Sequence, residues 1–129
     1  PLVLAGLQIL LVEDEADTRD FVAFVLEQEG AQVNAVASAR EALELLQQWR
    51  PDVLISDIGM PGENGYTLMQ KIRTLEAQQG GQIPSIALTA YAHEQDRSQA
   101  LAAGFQLHLS KPVEPEELVD AIATLAARV

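Results

Sequence analysis

Glu13, Asp14, Asp57, Thr89 and Lys111 have side chains suited to chemistry on a charged ligand, and each stands just after a short apolar run. Ile9-Leu10-Leu11-Val12 leads into Glu13-Asp14, Val53-Leu54-Ile55-Ser56 into Asp57, Ser85-Ile86-Ala87-Leu88 into Thr89, and Leu107 to Leu109 comes shortly before Lys111. Continuous apolar runs of this length suit parallel strands covered on both faces. Ligands of open parallel sheets bind outside the carboxyl ends of the strands, so the carboxylates, the hydroxyl and the ammonium are expected on one rim. Like charges held close together need a counterion, and an all-oxygen set suits a hard divalent cation such as Mg2+. Such an ion keeps several waters and takes one or two carboxylates plus phosphate oxygens, so a carboxylate beside it can attack phosphorus. Thr89 and Lys111 are then placed to bind phosphoryl oxygens. Phosphoryl transfer asks the protein mainly for positioning and charge cancellation, which this set provides.

The elements that must position these residues follow from periodicity and breakers. Ala16 to Glu29 carries Phe21, Phe24 and Val25 at helical spacing and is stopped by Gly30. Gln32 to Val36 reads as a strand. Ser38-Ala39-Arg40-Glu41 is a capping-box arrangement that starts a second helix, with Ala42, Leu46 and Trp49 on one face and Pro51 as its limit. Pro61, Gly62, Asn64 and Gly65 make a turn-rich loop before a third helix marked by Leu68, Ile72 and Leu75. A polar, alanine-rich helix is expected over Glu94 to Ala103, closed by Gly104, and Pro115-Glu116-Glu117 opens a last helix with Leu118, Ile122 and Leu125 as its stripe. Strand and helix alternate five times, which gives an α/β doubly wound parallel sheet with right-handed crossovers and helices on both faces.

The length suits one domain, and 48% hydrophobic residues can build a core. A formal net charge of −11 opposes polyphosphate backbones and anionic headgroups, so direct nucleic-acid binding is not expected. There is no cysteine, hence no disulfide framework or thiolate metal site, which fits a reducing compartment such as the cytoplasm. The apolar start, Pro1 to Val12, is interrupted by Gly6 and Gln8 and has no basic leader, so neither a membrane span nor a signal peptide is expected there. Residues 1–6 read as a linker or entry segment and 7–129 as the domain.

Taken together, Glu13-Asp14, the block Asp57-Ile58-Gly59-Met60-Pro61 with Gly65, Thr89-Ala90 and Lys111-Pro112 resemble, in order and spacing, the receiver domain of two-component response regulators. The resemblance spans Leu7 to Leu125 and implies a flavodoxin-like (βα)5 fold with strand order 2-1-3-4-5. It implies that Asp57 accepts a phosphoryl group from a histidine kinase or histidine phosphotransfer domain and that Mg2+ is the cofactor. Asp14 would bind the ion directly, Glu13 through water, and the Gly59 backbone carbonyl would be a further ligand. Lys111 would pair with the phosphoryl group, and Thr89 would move to bond it, passing the change to an output or downstream regulator. The family often has Tyr or Phe three residues before this lysine, as a rotamer switch, where this chain has His108. The resemblance also implies that Gly59 and Tyr91, each two residues past a site residue, tune phosphoryl lifetime. An isolated receiver is not an enzyme beyond its own phosphotransfer and dephosphorylation. The stretch from Leu88 to Gly104-Phe105 and on to His108-Leu109-Ser110-Lys111-Pro112-Val113 is similar to receivers attached to hybrid sensor histidine kinases, whose parent chain would be one. The alternatives are a Mg2+-dependent aspartyl-phosphate phosphohydrolase, disfavoured because Gly59 stands where such enzymes have a second Asp, and a receiver-like binding module that is never phosphorylated.

Overall fold

The computed structural model describes residues 2–90 and 93–126. Five strands, β1 (Gln8–Val12), β2 (Gln32–Val36), β3 (Val53–Asp57), β4 (Ser85–Thr89) and β5 (Leu107–Ser110), form one parallel sheet in the order β2-β1-β3-β4-β5. Helices α1 (Ala16–Gln28), α2 (Ala39–Leu46), α3 (Gly65–Arg73), α4 (Glu94–Ala103) and α5 (Pro115–Ala126) make the crossovers, with a short 3-10 turn at Ala77–Gln79. The expected fold and strand order are therefore those observed. The order reverses between β1 and β3, the place where ligands of such sheets bind. The pairings Val12↔Ser56, Asp57↔Leu88 and Thr89↔Ser110 bring the strand ends level.

Strand residues alternate between two cores, because successive side chains leave a strand on opposite faces. Leu10, Val12, Leu54 and Ala87 pack with Ala42, Leu46, Leu68, Met69, Ile72 and Ala100 under α2, α3 and α4. Ile9, Leu11, Val53, Ile55, Ile86 and Leu88 pack with Val22, Leu26, Leu118, Val119 and Ile122 under α1 and α5. Each fully buried Leu or Ile contributes roughly 1.5–3 kcal/mol. The entry segment joins the second core: Leu4 is buried there, and its N–H donates to the Glu29 carbonyl at 2.9 Å.

Several faces differ from the sequence expectation. On α1 the buried positions are Val22 and Leu26, whereas Phe21 and Phe24 are 48% and 59% exposed. A helix turns about 100° per residue, so docking one position around moves both rings from core to solvent. Helix α2 ends at Leu46, and Trp49 lies beyond it, half-buried, its indole N–H donating to Gln8 Oε1 at 2.6 Å. Ser38 caps α2 by accepting from Glu41 N at 3.2 Å, but its hydroxyl also donates to the Glu41 carboxylate at 2.9 Å, so the carboxylate meets the hydroxyl instead of a backbone N–H. Helix α4 has the weak apolar face expected of it, burying Ala100 and Ala103.

At the end of the sheet opposite the rim, Arg73 clips the starts of β4 and β5. Its guanidinium donates to the Gly104 carbonyl at 2.6 and 3.1 Å, to the Gly81 carbonyl at 3.0 Å and to Ser85 Oγ at 3.3 Å. Burial among these neutral acceptors lowers its pKa from the ordinary value.

Candidate functional site

Each strand end is fixed by backbone bonds before its side chain acts. Glu13 N–H donates to the Val36 carbonyl at 3.0 Å, Ile58 N–H to Leu88 at 3.0 Å and Lys111 N–H to Thr89 at 2.7 Å. Gly65 brings the start of α3 against the end of β3, donating to the Ile58 carbonyl at 2.9 Å. A Cβ at residue 65 would lie 2.5 Å from the Asp57 carbonyl oxygen, so only glycine allows this approach. Glu15 caps α1 by accepting from Thr18 N at 2.7 Å, and the Thr18 hydroxyl, then this N–H, lower its pKa. Arg19 donates to the Glu13 carbonyl at 2.9 Å, which ties the acidic turn to α1.

Glu13, Asp14 and Asp57 each offer a carboxylate oxygen within 4.8 Å of the others. Glu13 and Asp57 are buried, and Asp14 is the most exposed of the three. Lys111 Nζ bridges two of them, 2.9 Å from Glu13 Oε1 and 3.1 Å from Asp57 Oδ1. Burial works against the lysine's charge, but the bonds to Glu13 and Asp57 outweigh it and raise its pKa. Burial raises the pKa of Glu13, and the Asp57 charge adds to this, against the pull of Lys111 and of the Glu15 N–H, which donates to Glu13 Oε2 at 3.1 Å.

These residues fit a hard divalent cation. Glu13 Oε1 is fully buried and faces Lys111 Nζ at 2.9 Å, a buried carboxylate oxygen turned into the cluster. One ammonium among three carboxylates leaves two formal negative charges for such an ion to cancel. The cluster is therefore able to hold a metal ion.

On the other side of Asp57 opens a cleft of about 280 Å³, lined by Asp57, Gly59, Thr89 and Lys111 among others. Asp57 and Lys111 thus belong to both the acidic cluster and the cleft. The Cβ position of Gly59 meets nothing within 4 Å, leaving the approach open. Thr89 is buried, and its Oγ1 lies 2.7 Å from His108 Nε2, so His108 reaches the cleft through Thr89 without lining it. Tyr91 lies outside the described residues. Sequence reasoning missed Tyr66, Asp96 and Gln99, which also line the cleft. Burial, and then the negative charge of Asp96, raises the Tyr66 pKa. The available signal was position, since Tyr66 and Asp96 stand in the first turns of α3 and α4, the helices that follow β3 and β4.

Among the described residues no helix is long and apolar enough to cross a membrane. The sequence pattern of the response regulator receiver domain matches residues 9–123. The chain is 48% identical over 116 residues to an uncharacterized 14.6 kDa protein of Leptolyngbya boryana, covering 90% of this chain and 87% of that one. It is 36% identical over 129 residues to hybrid signal transduction histidine kinase D of Dictyostelium discoideum, covering 95% of this chain but 8% of the kinase. The receiver domain of a sensor histidine kinase from Pseudomonas aeruginosa, solved with a magnesium ion coordinated in its active-site cleft, superposes with a TM-score of 0.87 at 33% identity, covering 96% of this chain and 100% of that one. With the 2-1-3-4-5 sheet, the acidic rim and these likenesses in agreement, the chain belongs to the response regulator receiver domains of two-component signalling.

Proposed function

We propose that Asp57 is the phosphoacceptor of this chain and takes its phosphoryl group from the phosphohistidine of a histidine kinase or histidine phosphotransfer domain. The observation that carries this reading is Lys111, held between Asp57 and Glu13 on the rim where the strand order reverses. An Asp57 carboxylate oxygen forms the bond to phosphorus as the bond from phosphorus to the donor imidazole nitrogen breaks, and the electron pair stays on that nitrogen. Lys111 donates to a phosphoryl oxygen as charge builds there, and Thr89 supplies a second donor on the cleft side. Asp14 directly, Glu13 through water, Asp57 and the Gly59 carbonyl would hold Mg2+, which when bound supplies the positive charge that offsets the transferred group.

In this reading Thr89 and His108 carry the change to the neighbouring β4–α4 and β5–α5 surface, for an output or downstream regulator. Gly59 and Tyr91 are the positions that set phosphoryl lifetime. The isolated domain performs only its own phosphotransfer and dephosphorylation. Residues 1–6 form the entry and 7–129 the receiver, working in the cytoplasm, and the likeness to the Dictyostelium hybrid kinase supports a hybrid kinase as the parent chain. Acetyl phosphate with Mg2+ should give a hydroxylamine-labile adduct that is lost in Asp57→Asn, and that Asp14→Ala fails to form while remaining folded. A stable phosphate on Ser56 or His108, or labelling of Asp14→Ala at the wild-type rate, would overturn the assignment.

A further inference from the structure

Thr89 has one hydroxyl proton, and His108 and a phosphoryl group on Asp57 would both call for it. Phosphoryl oxygens only accept, so Thr89 must turn its proton toward them to bond them. His108 Nε2 already stands 2.7 Å from Thr89 Oγ1. If Nε2 carries no proton, it accepts a hydrogen bond from the hydroxyl; if Nε2 carries one, it donates to the hydroxyl oxygen, whose own O–H is left to turn elsewhere. The two residues lie on adjacent paired strands, with Ala87 opposite His108 and Thr89 opposite Ser110, so both face the α4 side of the sheet on a hydrogen-bonded backbone that keeps them together. The ring is half-buried, and among the described residues Nδ1 has no hydrogen-bond partner, so that nitrogen is the one left to exchange with water.

We propose that His108 is a positioning residue for Thr89, accepting from its hydroxyl at rest and donating to it through Nε2–H when Asp57 is phosphorylated. The proposal rests on Asp57 being the acceptor. The ring stays neutral: Nδ1 gives its proton to water, Nε2 takes one from water, and the Thr89 O–H bond rotates without breaking. In the phosphorylated state the chain Nε2–H to Oγ1, then O–H to phosphoryl, polarises the hydroxyl and makes it a stronger donor than an isolated threonine. A phenylalanine or tyrosine ring at residue 108 has no nitrogen with which to do this.

The test is nitrogen-15 NMR of the imidazole rings of the full chain in Mg2+, with and without beryllofluoride as the phosphoryl mimic. The chain has two histidines, and a His108→Gln spectrum identifies the ring in question. A fluorine signal from bound beryllofluoride, absent in Asp57→Asn, reports occupancy independently. The expected result is a resting ring protonated at Nδ1 that becomes protonated at Nε2 on occupancy, and that no longer responds in Thr89→Ala. Occupancy with the wild-type ring unchanged, or with the same response in Thr89→Ala, would overturn the proposal and leave Asp57 as the acceptor. Failure of beryllofluoride to bind the wild-type chain would remove both.

Discussion

Replacing Lys111 by Met removes the cation between Glu13 and Asp57 while keeping most of the aliphatic stem. Glu13 is then a fully buried carboxylate facing two others with no counter-charge, the arrangement that makes breaking a buried pair cost about 3–5 kcal/mol. The lysine side chain keeps 24% of its surface exposed, so solvent screens part of the pair and the expected loss is about 2–4 kcal/mol at neutral pH without metal. At a urea dependence of about 2 kcal/mol per M this moves the unfolding midpoint down by ~1–2 M. The single tryptophan, Trp49, bonded to Gln8 on β1, gives the fluorescence signal. The deficit has a definite pH signature. Glu13 titrates above its ordinary 4.5 in the folded chain, so its ionisation costs stability; the cost is absent below 4.5 and complete once pH exceeds the folded value. Losing Lys111 raises that folded value further, so variant and wild type should converge near pH 4 and separate as pH rises. Mg2+ should also narrow the gap, because the ion supplies the charge the variant lacks and a ligand at a hundred times its Kd adds about 2.7 kcal/mol. A deficit equal at pH 4 and pH 7, and indifferent to Mg2+, would show that Lys111 stabilises by packing and refute the electrostatic argument.

Gly65→Ala should cost about 1–3 kcal/mol and weaken beryllofluoride binding, because its Cβ would press on the Asp57 carbonyl and on Ile58; an unchanged unfolding midpoint would refute the close approach. Arg73→Met should cost about 2–3 kcal/mol by leaving the Gly104 and Gly81 carbonyls without their donor, and, unlike the Lys111 variant, should lose the same amount with and without Mg2+ in paired urea titrations.

The order of elements was legible because the central strands β1, β3 and β4 carry apolar runs and several helices carry a stop, such as Gly30, Pro51 or Gly104. The rim was legible for the same reason, since a residue at the end of a buried parallel strand has one place to go. What periodicity does not carry is rotation. Phe21 and Phe24 have the right spacing for a core face, yet Val22 and Leu26 occupy it, and the choice is made by the sheet that α1 meets. Contacts between distant elements were equally hidden: nothing local announces that Arg73 reaches Gly104, that Leu4 enters the core beside Leu26, or that His108 meets Thr89. Tyr66, Asp96 and Gln99 were missed because the opening two turns of α3 and α4 lie along the cleft, and their spacing in sequence bears no simple relation to that geometry.

The Arg73 clip also fixes the register of the sheet's edge strand from the end away from the rim. β5 is an edge strand of four half-buried residues, none of them fully enclosed by the core. Its base is pinned by the guanidinium on Gly104 and by Gln106 N–H on Ser85 O at 2.9 Å, neither of which involves a group on the rim. The rim end is held separately, by the Lys111 N–H on the Thr89 carbonyl at 2.7 Å and by the Lys111 ammonium between Glu13 and Asp57. A strand freed at both ends can re-pair two residues out of step and keep the same faces inward, whereas one anchored at its base returns to the register it left. The far end thus acts as the molecule's memory of alignment: it holds β5 in the register that brings Thr89, His108 and Lys111 to their neighbours.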